Sequence, residues 1–465
     1  MKPGRSTKRF ALRSLVAVTT VSLLALLPTG ALAATPAAKK APPAAKKETR
    51  PTDIVLWHSM EGTLGEELKA LAEQFNGSQR EWHVVPEYKG TYEKALEEGL
   101  AAQRAGKGPH MMQVVEVGTA SVLAQPRVYK PVYQLMAENG EKFDTRTFFP
   151  AVSSFFSDNQ GRLIAMPFNS STAVLYTNRD AFRKAGLDPD NPPKTWRDVQ
   201  AAAIKLTETD TTRCGYTTDW QSWVHLENLT AWHNEPFADK ANGFGGMDAR
   251  LNFNTILMVR HIGLLSSWVK SGLFNYYGHR NEGEAKFASG ECGLLTSSSA
   301  SRAELARNAK FDIGVSPLPY YDEFPGAPFN TVIGGASLWA MNGKKASEYK
   351  GVARFFAWLS RAEVQADWHQ RTGYIPLTVA AYELTRKQGY YDRQPGALAA
   401  IRQLTRRTES HSKGVRLGDF VKIRAVIDEE LEAVWAQRKT PKEALDEAVD
   451  RGNALLRVFE RSHKK

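Results

Sequence analysis

The chain has 465 residues, 42% hydrophobic and 24% charged, ordinary values for a soluble globular protein. These proportions exclude global disorder, a collagen-like chain and a polytopic membrane protein, and the length exceeds the roughly 250–300 residues one core sustains, so two lobes are expected. The formal charge of +11 lies at the front: residues 1–33 carry five bases and no acid, residues 34–52 add a net +4, and the rest holds only +2. A body this near neutrality has no electrostatic footprint for nucleic acid.

Residues 1–33 read as an export signal. A basic stretch ends at Arg13, an apolar run covers Ser14 to Leu27, and Ala31-Leu32-Ala33 supplies small residues for cleavage. Fourteen apolar-leaning residues fall short of the ~20 needed to span a bilayer. Lys8-Arg9-Phe10 is not a twin-arginine pair, so the general secretory route and a mature start at Ala34 are expected. Residues 34–52 are Ala, Lys and Pro, a composition that buries no core and serves as a spacer.

In the body, Ile54–His58 predicts a strand. Gly62–Asn76 predicts an amphipathic helix through Leu64, Leu68, Leu71 and Phe75. A strand over His83–Tyr88, a helix over Tyr92–Gly106 and a strand over Met111–Val115 follow. This alternation predicts βαβ units and a parallel sheet covered on both faces. Extended runs at residues 165–176 and 314–319 look like crossings between lobes that leave a cleft. The C-terminal quarter turns helical, with Ile427, Leu431, Val434 and Trp435 on one stripe and Leu445, Val449, Leu455, Val458 and Phe459 continuing the pattern.

The familiar nucleotide, nucleophile-elbow and zinc-protease motifs are absent, and the ten histidines are scattered. No metal site and no cofactor are expected. Cys214 and Cys292 form either a disulfide or two buried thiols, a structural role in both cases.

Several segments carry a resemblance. Leu56-Trp57-His58-Ser59-Met60-Glu61-Gly62, Tyr88-Lys89-Gly90-x-Tyr92, Val115-Glu116-Val117-Gly118-Thr119-Ala120 and Pro167-Phe168-Asn169-Ser170-Ser171-Thr172 stand in order. So do Trp220-x-x-Trp223, Gly334-Gly335-Ala336-Ser337-Leu338-Trp339, Thr372-Gly373-Tyr374-Ile375-Pro376 and Arg416-Leu417-Gly418. Together, from about Ile54 to Phe459, the chain resembles the periplasmic glycerol-3-phosphate-binding proteins of bacterial ABC importers.

That resemblance implies an α/β fold of the two-lobed, maltose-binding-protein-like kind. The first lobe would hold residues 53–170 plus about 318–368, the second 171–317 plus about 369–462. It implies a monomeric periplasmic receptor, not an enzyme, that captures sn-glycerol-3-phosphate and glycerophosphodiesters such as glycerophosphocholine. Delivery would be to the transmembrane subunits of an ABC permease with a cytoplasmic ATPase. A secreted hydrolase of glycerophosphodiesters using the same cleft is the alternative. Carried over residue by residue, the ligand-binding set is Tyr92, Glu116, Ser171, Trp220, Trp223, Ser298, Gly335, Tyr374 and Arg424, with Ser297 or Ser299 as substitutes for Ser298.

The residue types suit such a ligand. Arg424 offers a planar fork for phosphate oxygens. Ser171, Ser298, Tyr374 and the Gly335 N–H supply donors, Glu116 accepts from glycerol hydroxyls, and the two indoles wall the site and suit a quaternary ammonium.

Overall fold

The β1 strand (Thr52–His58) starts one residue before the expected body and buries Ile54 and Leu56 completely. It belongs to a computed structural model that describes residues 50–463; the expected signal peptide and nearly all of the spacer lie outside the described residues. The Gly62–Ser78 helix follows, turning Leu68, Leu71, Ala72 and Phe75 inward at helical spacing. Then come β2 (Trp82–Tyr88), the Tyr92–Arg104 helix and β3 (Met111–Val115). Parallel pairing of β1 with both β2 and β3 fits the predicted βαβ units.

Later strands make the sheet mixed. β4 (Tyr129–Lys130), β5 (Met166–Ser171) and a long returning strand, Gly334–Met341, join it, and the returning strand runs antiparallel to β3 and β5. The expectation of a purely parallel sheet is thereby corrected, because the chain comes back from the far lobe in the opposite direction. The second sheet takes β6 (Ala173–Asn178), β7 (Cys214–Thr218), β8 (Cys292–Ser298) and β9 (Ile313–Pro317), in the order β7-β8-β6-β9. The Gly334–Met341 strand is β10.

Only Thr172 separates β5 in one sheet from β6 in the other, so the run at residues 165–176 crosses as expected. The second crossing is displaced. Residues 313–317 are a strand inside the second sheet, and the chain returns through residues 318–333. Its prolines exclude helix but leave the extended backbone a strand needs. The two crossings touch: Thr172 Oγ1 donates to Thr331 Oγ1 at 2.7 Å, and Thr172 is fully buried.

The C-terminal helices, Phe420–Trp435 and Pro441–His463, pack together beside the second sheet. On the last helix the inward stripe is Leu445, Val449, Leu456 and Phe459, while Val458 is half exposed. The expected stripe slips by one residue there, since four residues overshoot a 3.6-residue turn while seven fall short of two, and the stripe drifts. Histidines scattered in sequence meet inside this lobe, His225 Nδ1 lying 3.0 Å from His261 Nε2. Burial pushes His225 down to about 3 and keeps it neutral.

Cys214 and Cys292 are opposite residues of the parallel pair β7–β8 and form a disulfide. It closes a loop of 78 residues, a constraint worth about 4 kcal/mol in the chain-entropy account. Replacing both cysteines by alanine should lower the denaturant midpoint and raise the m-value, because the unfolded chain is freed to expand. A midpoint equal to that of the unaltered protein would show that sheet packing alone supplies this stability.

Candidate functional site

Both sheets end at a cavity of about 710 Å³. β3 stops at Val115 and the chain bends into a single 3₁₀ turn, so Glu116 leaves at the C-terminal end of a parallel strand. Open α/β sheets place their ligands at this end. Tyr92 opens the helix after β2, capped by Thr91 Oγ1. Gly335 stands near the start of β10 at φ +97°, where a Cβ would lie 1.8 Å from the Asn169 carbonyl oxygen, so only glycine fits. Tyr374 follows the Ala362–Thr372 helix, whose end Gly373 turns at φ 81°.

The second lobe supplies the opposing wall. After β7 the backbone of Trp220 adopts φ 48°, a left-handed conformation unusual for a bulky residue. It is fixed there because its N–H donates to the Arg280 carbonyl at 2.8 Å and its own carbonyl accepts from Val224 N–H at 2.9 Å. Residues Trp223–Asn228 then form a π-helical turn, a distortion concentrated at functional sites. It buries Trp223 against Gly334, whose missing side chain makes room for the indole, and turns Glu227 inward.

All nine expected residues line this cavity. Tyr92, Glu116, Gly335 and Tyr374 reach it from the first sheet's side and Ser171 from the crossing strand. Trp220, Trp223, Ser298 and Arg424 reach it from the second. Among the three candidate serines only Ser298 is part of the lining. Ser297 is engaged with Ser301 at 2.9 Å, and Ser299 Oγ accepts from Thr172 N–H at 3.4 Å.

The electrostatics differ from expectation at Arg424. Its Nε and Nη2 donate to Glu227 at 2.7 and 2.9 Å, and Nη2 donates to Glu116 at 2.7 Å. Both carboxylate side chains are buried, and the Arg424 side chain is 15% exposed. The fork expected to receive phosphate is therefore turned onto carboxylates, and the fully ionised triad carries −1. Burial outweighs Arg424 and pushes the Glu116 carboxyl up to about 6, with Glu227 adding to the rise. The acid and base that precede Arg424 are inert here: Asp419 and Lys422 pair with each other at 3.1 Å, away from the guanidinium.

Three features escaped the sequence reading. Glu227 belongs to no motif, and nothing in W-V-H-L-E announces an ion-pair partner 197 residues from Arg424. Ser59 lies inside a quoted segment, yet its role shows only in three dimensions: it lines the cavity and its Oγ is buried without a hydrogen-bond partner. Glu284 also lines it, and burial pushes its carboxyl up to about 7. Two further cavity residues hold unpartnered buried atoms, an acceptor on Glu116 (Oε2) and a donor on Trp223 (Nε1).

The rim joins the lobes directly. Thr63 Oγ1 donates to Glu304 Oε2 at 2.6 Å, Arg307 pairs with Glu66 at 3.0 Å, and Arg280 pairs with Glu93. Among the described residues no group of three or more His, Cys, Asp or Glu stands together to hold a metal ion. Such a site can bind a small polyol or ester through hydroxyl donors, one charged triad and indole walls.

Comparison with known proteins is consistent with this architecture. The chain is 50% identical over 415 residues to the sn-glycerol-3-phosphate-binding periplasmic protein UgpB of Yersinia pestis, covering 89% of this chain and 94% of that protein. The UgpB of Salmonella typhimurium is equally similar, at 50% identity over the same shares. Among solved structures, UgpB from Mycobacterium tuberculosis in complex with glycerophosphocholine superposes with a TM-score of 0.73 at 20% identity, over 88% of this chain and 99% of that one. A cyclic alpha-maltosyl-1,6-maltose binding protein from Arthrobacter globiformis gives 0.69 at 20% identity, over 88% and 100%; at such identities the likeness is one of fold. The profile of the bacterial extracellular solute-binding proteins matches residues 70–393, and with that match and half-identical relatives spanning nearly its full length, the chain belongs to the bacterial extracellular solute-binding protein family.

Proposed function

We propose that this protein is a periplasmic receptor that captures sn-glycerol-3-phosphate and glycerophosphodiesters in the interlobe cavity and hands them to an ABC permease, without chemical turnover. The observation that carries this reading is the convergence of Glu116 and Arg424, the latter backed by Glu227, with a set of neutral hydroxyl donors in one cleft. The names of the half-identical relatives carry sn-glycerol-3-phosphate, and the Mycobacterium tuberculosis neighbour was solved with glycerophosphocholine.

Within the site the proposed roles differ from those expected of the sequence. A guanidinium already compensated by two carboxylates offers a dianion little attraction. The triad therefore takes the vicinal hydroxyls, which donate to the unpartnered Glu116 Oε2. The phosphate goes to Tyr92, Ser171, Ser298, Tyr374 and Gly335, with Trp223 Nε1–H as a further donor. Phosphate recognition by neutral donors in a water-poor site is strong because unmade hydrogen bonds there are costly. A ligand that touches both walls favours the closed arrangement. Saturating ligand should accordingly shrink the radius of gyration, and scattering curves unchanged by it would contradict the hinge.

Calorimetry with glycerol-3-phosphate, glycerophosphocholine and maltose tests the assignment: the first two should bind and maltose should not. Heat from maltose alone would move the protein to a sugar receptor. Release of choline from glycerophosphocholine would establish the hydrolase instead.

Arg424→Lys should weaken both phosphate ligands by roughly ten- to a hundredfold, since a lysine cannot hold Glu116 and Glu227 with one planar fork, and a displaced Glu116 forfeits its charged hydrogen bond with the ligand's hydroxyls, worth about 1.5–3 kcal/mol. Arg416→Lys is the control. Arg416 is absent from the lining and spends its Nη2 on the Phe155 and Ser157 carbonyls, so its loss should cost stability and leave affinity unchanged. Sensitivity of binding at Arg416 and none at Arg424 would place the ligand elsewhere.

A pH profile separates the role of Glu116 from the rest. Its carboxyl is raised to about 6, so the charged acceptor is complete above that pH and is lost as pH falls through it. Glycerophosphocholine, whose diester does not titrate there, should bind more weakly at pH 5 than at pH 7. Glu116→Gln should flatten that limb. A profile identical in the variant would assign the pH dependence to another group.

A further inference from the structure

Two carboxyls of the second lobe, Glu284 and Asp219, take no part in the Arg424 triad. Glu284, on the Glu282–Ala288 helix, lines the cavity. Its Oε1 accepts from Ser301 Oγ, and its Oε2 has no hydrogen-bond partner among the described residues. Asp219 directly follows β7 and is fully buried. Its Oδ1 accepts from the Gly283 N–H at 2.8 Å, while its Oδ2 is buried without a partner. Two hydroxyls stand between the carboxyls: Ser297 Oγ lies 2.9 Å from Ser301 Oγ, and Asp219 lies against Ser297.

Counting hydrogens gives this row a direction. Each serine has one hydroxyl hydrogen. Ser301 gives its own to Glu284, so Ser297 gives its own to Ser301, and the Ser297 oxygen is left to accept from Asp219. That order needs a proton on Asp219 Oδ2, which burial without a counter-charge favours. The nearby bases are engaged elsewhere: Arg302 donates to the Gln370 carbonyl, Arg280 pairs with Glu93, and Arg424 holds Glu116 and Glu227. The other titratable groups facing Glu284 are Glu304 on the following helix, Tyr176 of β6 and Tyr374. Burial pushes the Glu284 carboxyl up to about 7, the Ser301 hydrogen bond opposing the rise and Glu304 adding to it.

Resting on the function proposed above, we propose that Glu284 is a further ligand-binding residue that meets the phosphate as a neutral acid, donating from Oε2 at the end of the chain Asp219–Ser297–Ser301–Glu284. Its neighbours are the phosphate donors: Ser298 follows Ser297 in β8, and the Tyr374 phenol senses the Glu284 charge. An ionised carboxylate beside these groups repels phosphate. Binding to the ionised form therefore takes up one proton from solvent, which ends on Oε2 and is shared with a phosphoryl oxygen. A row in which every hydroxyl donates toward the cavity polarises that last donor.

Calorimetry with glycerophosphocholine in buffers of different ionisation enthalpy, between pH 7 and pH 9, tests this. The diester does not titrate in that range and Glu116 is already ionised, so proton uptake reports on Glu284. The neutral acid is lost as pH rises through about 7. The unaltered protein should thus take up about one proton per ligand at pH 9, its affinity falling about tenfold per pH unit there. Glu284→Gln keeps an acceptor for Ser301 and a donor for the ligand. In this variant the uptake and the slope should vanish, with affinity at pH 7 within about threefold of the unaltered protein's. Ser301→Ala removes the hydrogen bond that favours the carboxylate, so the onset of uptake should move to higher pH, a shift that a merely structural serine would not give. Binding without proton uptake, or with the same uptake in Glu284→Gln, would overturn the role of Glu284 and leave the receptor assignment intact. Absence of binding by the unaltered protein would overturn the receptor assignment itself, and this role with it.

Discussion

One largely buried cation organises the cleft. Arg424 sits between Glu227 from its own lobe and Glu116 from the other, at 2.7 Å from each. A guanidinium taken out of water is tolerated only when its charge and its N–H groups are answered. That requirement explains the local backbone. β3 has to end at Val115 so that Glu116 can leave the sheet, and a π-helical turn is needed to aim Glu227 at the same point. Removing either carboxylate leaves the other side chains in an altered charge balance, so the three act as a unit.

The hinge obeys a similar economy. A single residue, Thr172, separates strands of two sheets, and its hydroxyl binds Thr331 in the returning segment. Bending at one crossing therefore moves the other. The apolar interior runs across this linkage, since Val174, Tyr176 and Leu295 of the second sheet cluster with the residues that pack the first. The ion pairs at the rim are exposed, and exposed pairs contribute little individually. Closure depends mainly on what fills the space between the walls.

Much of this was legible in the sequence, for identifiable reasons. β1, β2, β3 and their helices are short, strongly periodic segments whose apolar spacing reports burial directly. The nine ligand-binding candidates were placed by resemblance, and the fold gathers all nine around one cavity. What stayed hidden depends on long-range geometry. Glu227 has no local signature, and its significance exists only once Arg424 comes within 2.7 Å. The extended run at residues 314–319 could be read as a crossing because strands and linkers share the same backbone conformation. Only pairing with β6 shows that residues 313–317 belong to the second sheet. The cysteines presented two possibilities until β7 and β8 set Cys214 opposite Cys292.

That disulfide has a consequence for how the binding wall is assembled. The loop it closes, from residue 214 to residue 292, contains Trp220, Trp223, Glu227 and Glu284. Part of the second lobe's wall is thus carried on a covalent ring anchored at two neighbouring strands. While the thiols are reduced, this wall is tied to the sheet by noncovalent pairing alone; once they are oxidised, its two ends are pinned together. Completion of the receptor is thereby coupled to the redox character of its surroundings, and a chain retained where thiols stay reduced would carry the right residues on a less firmly fenced wall.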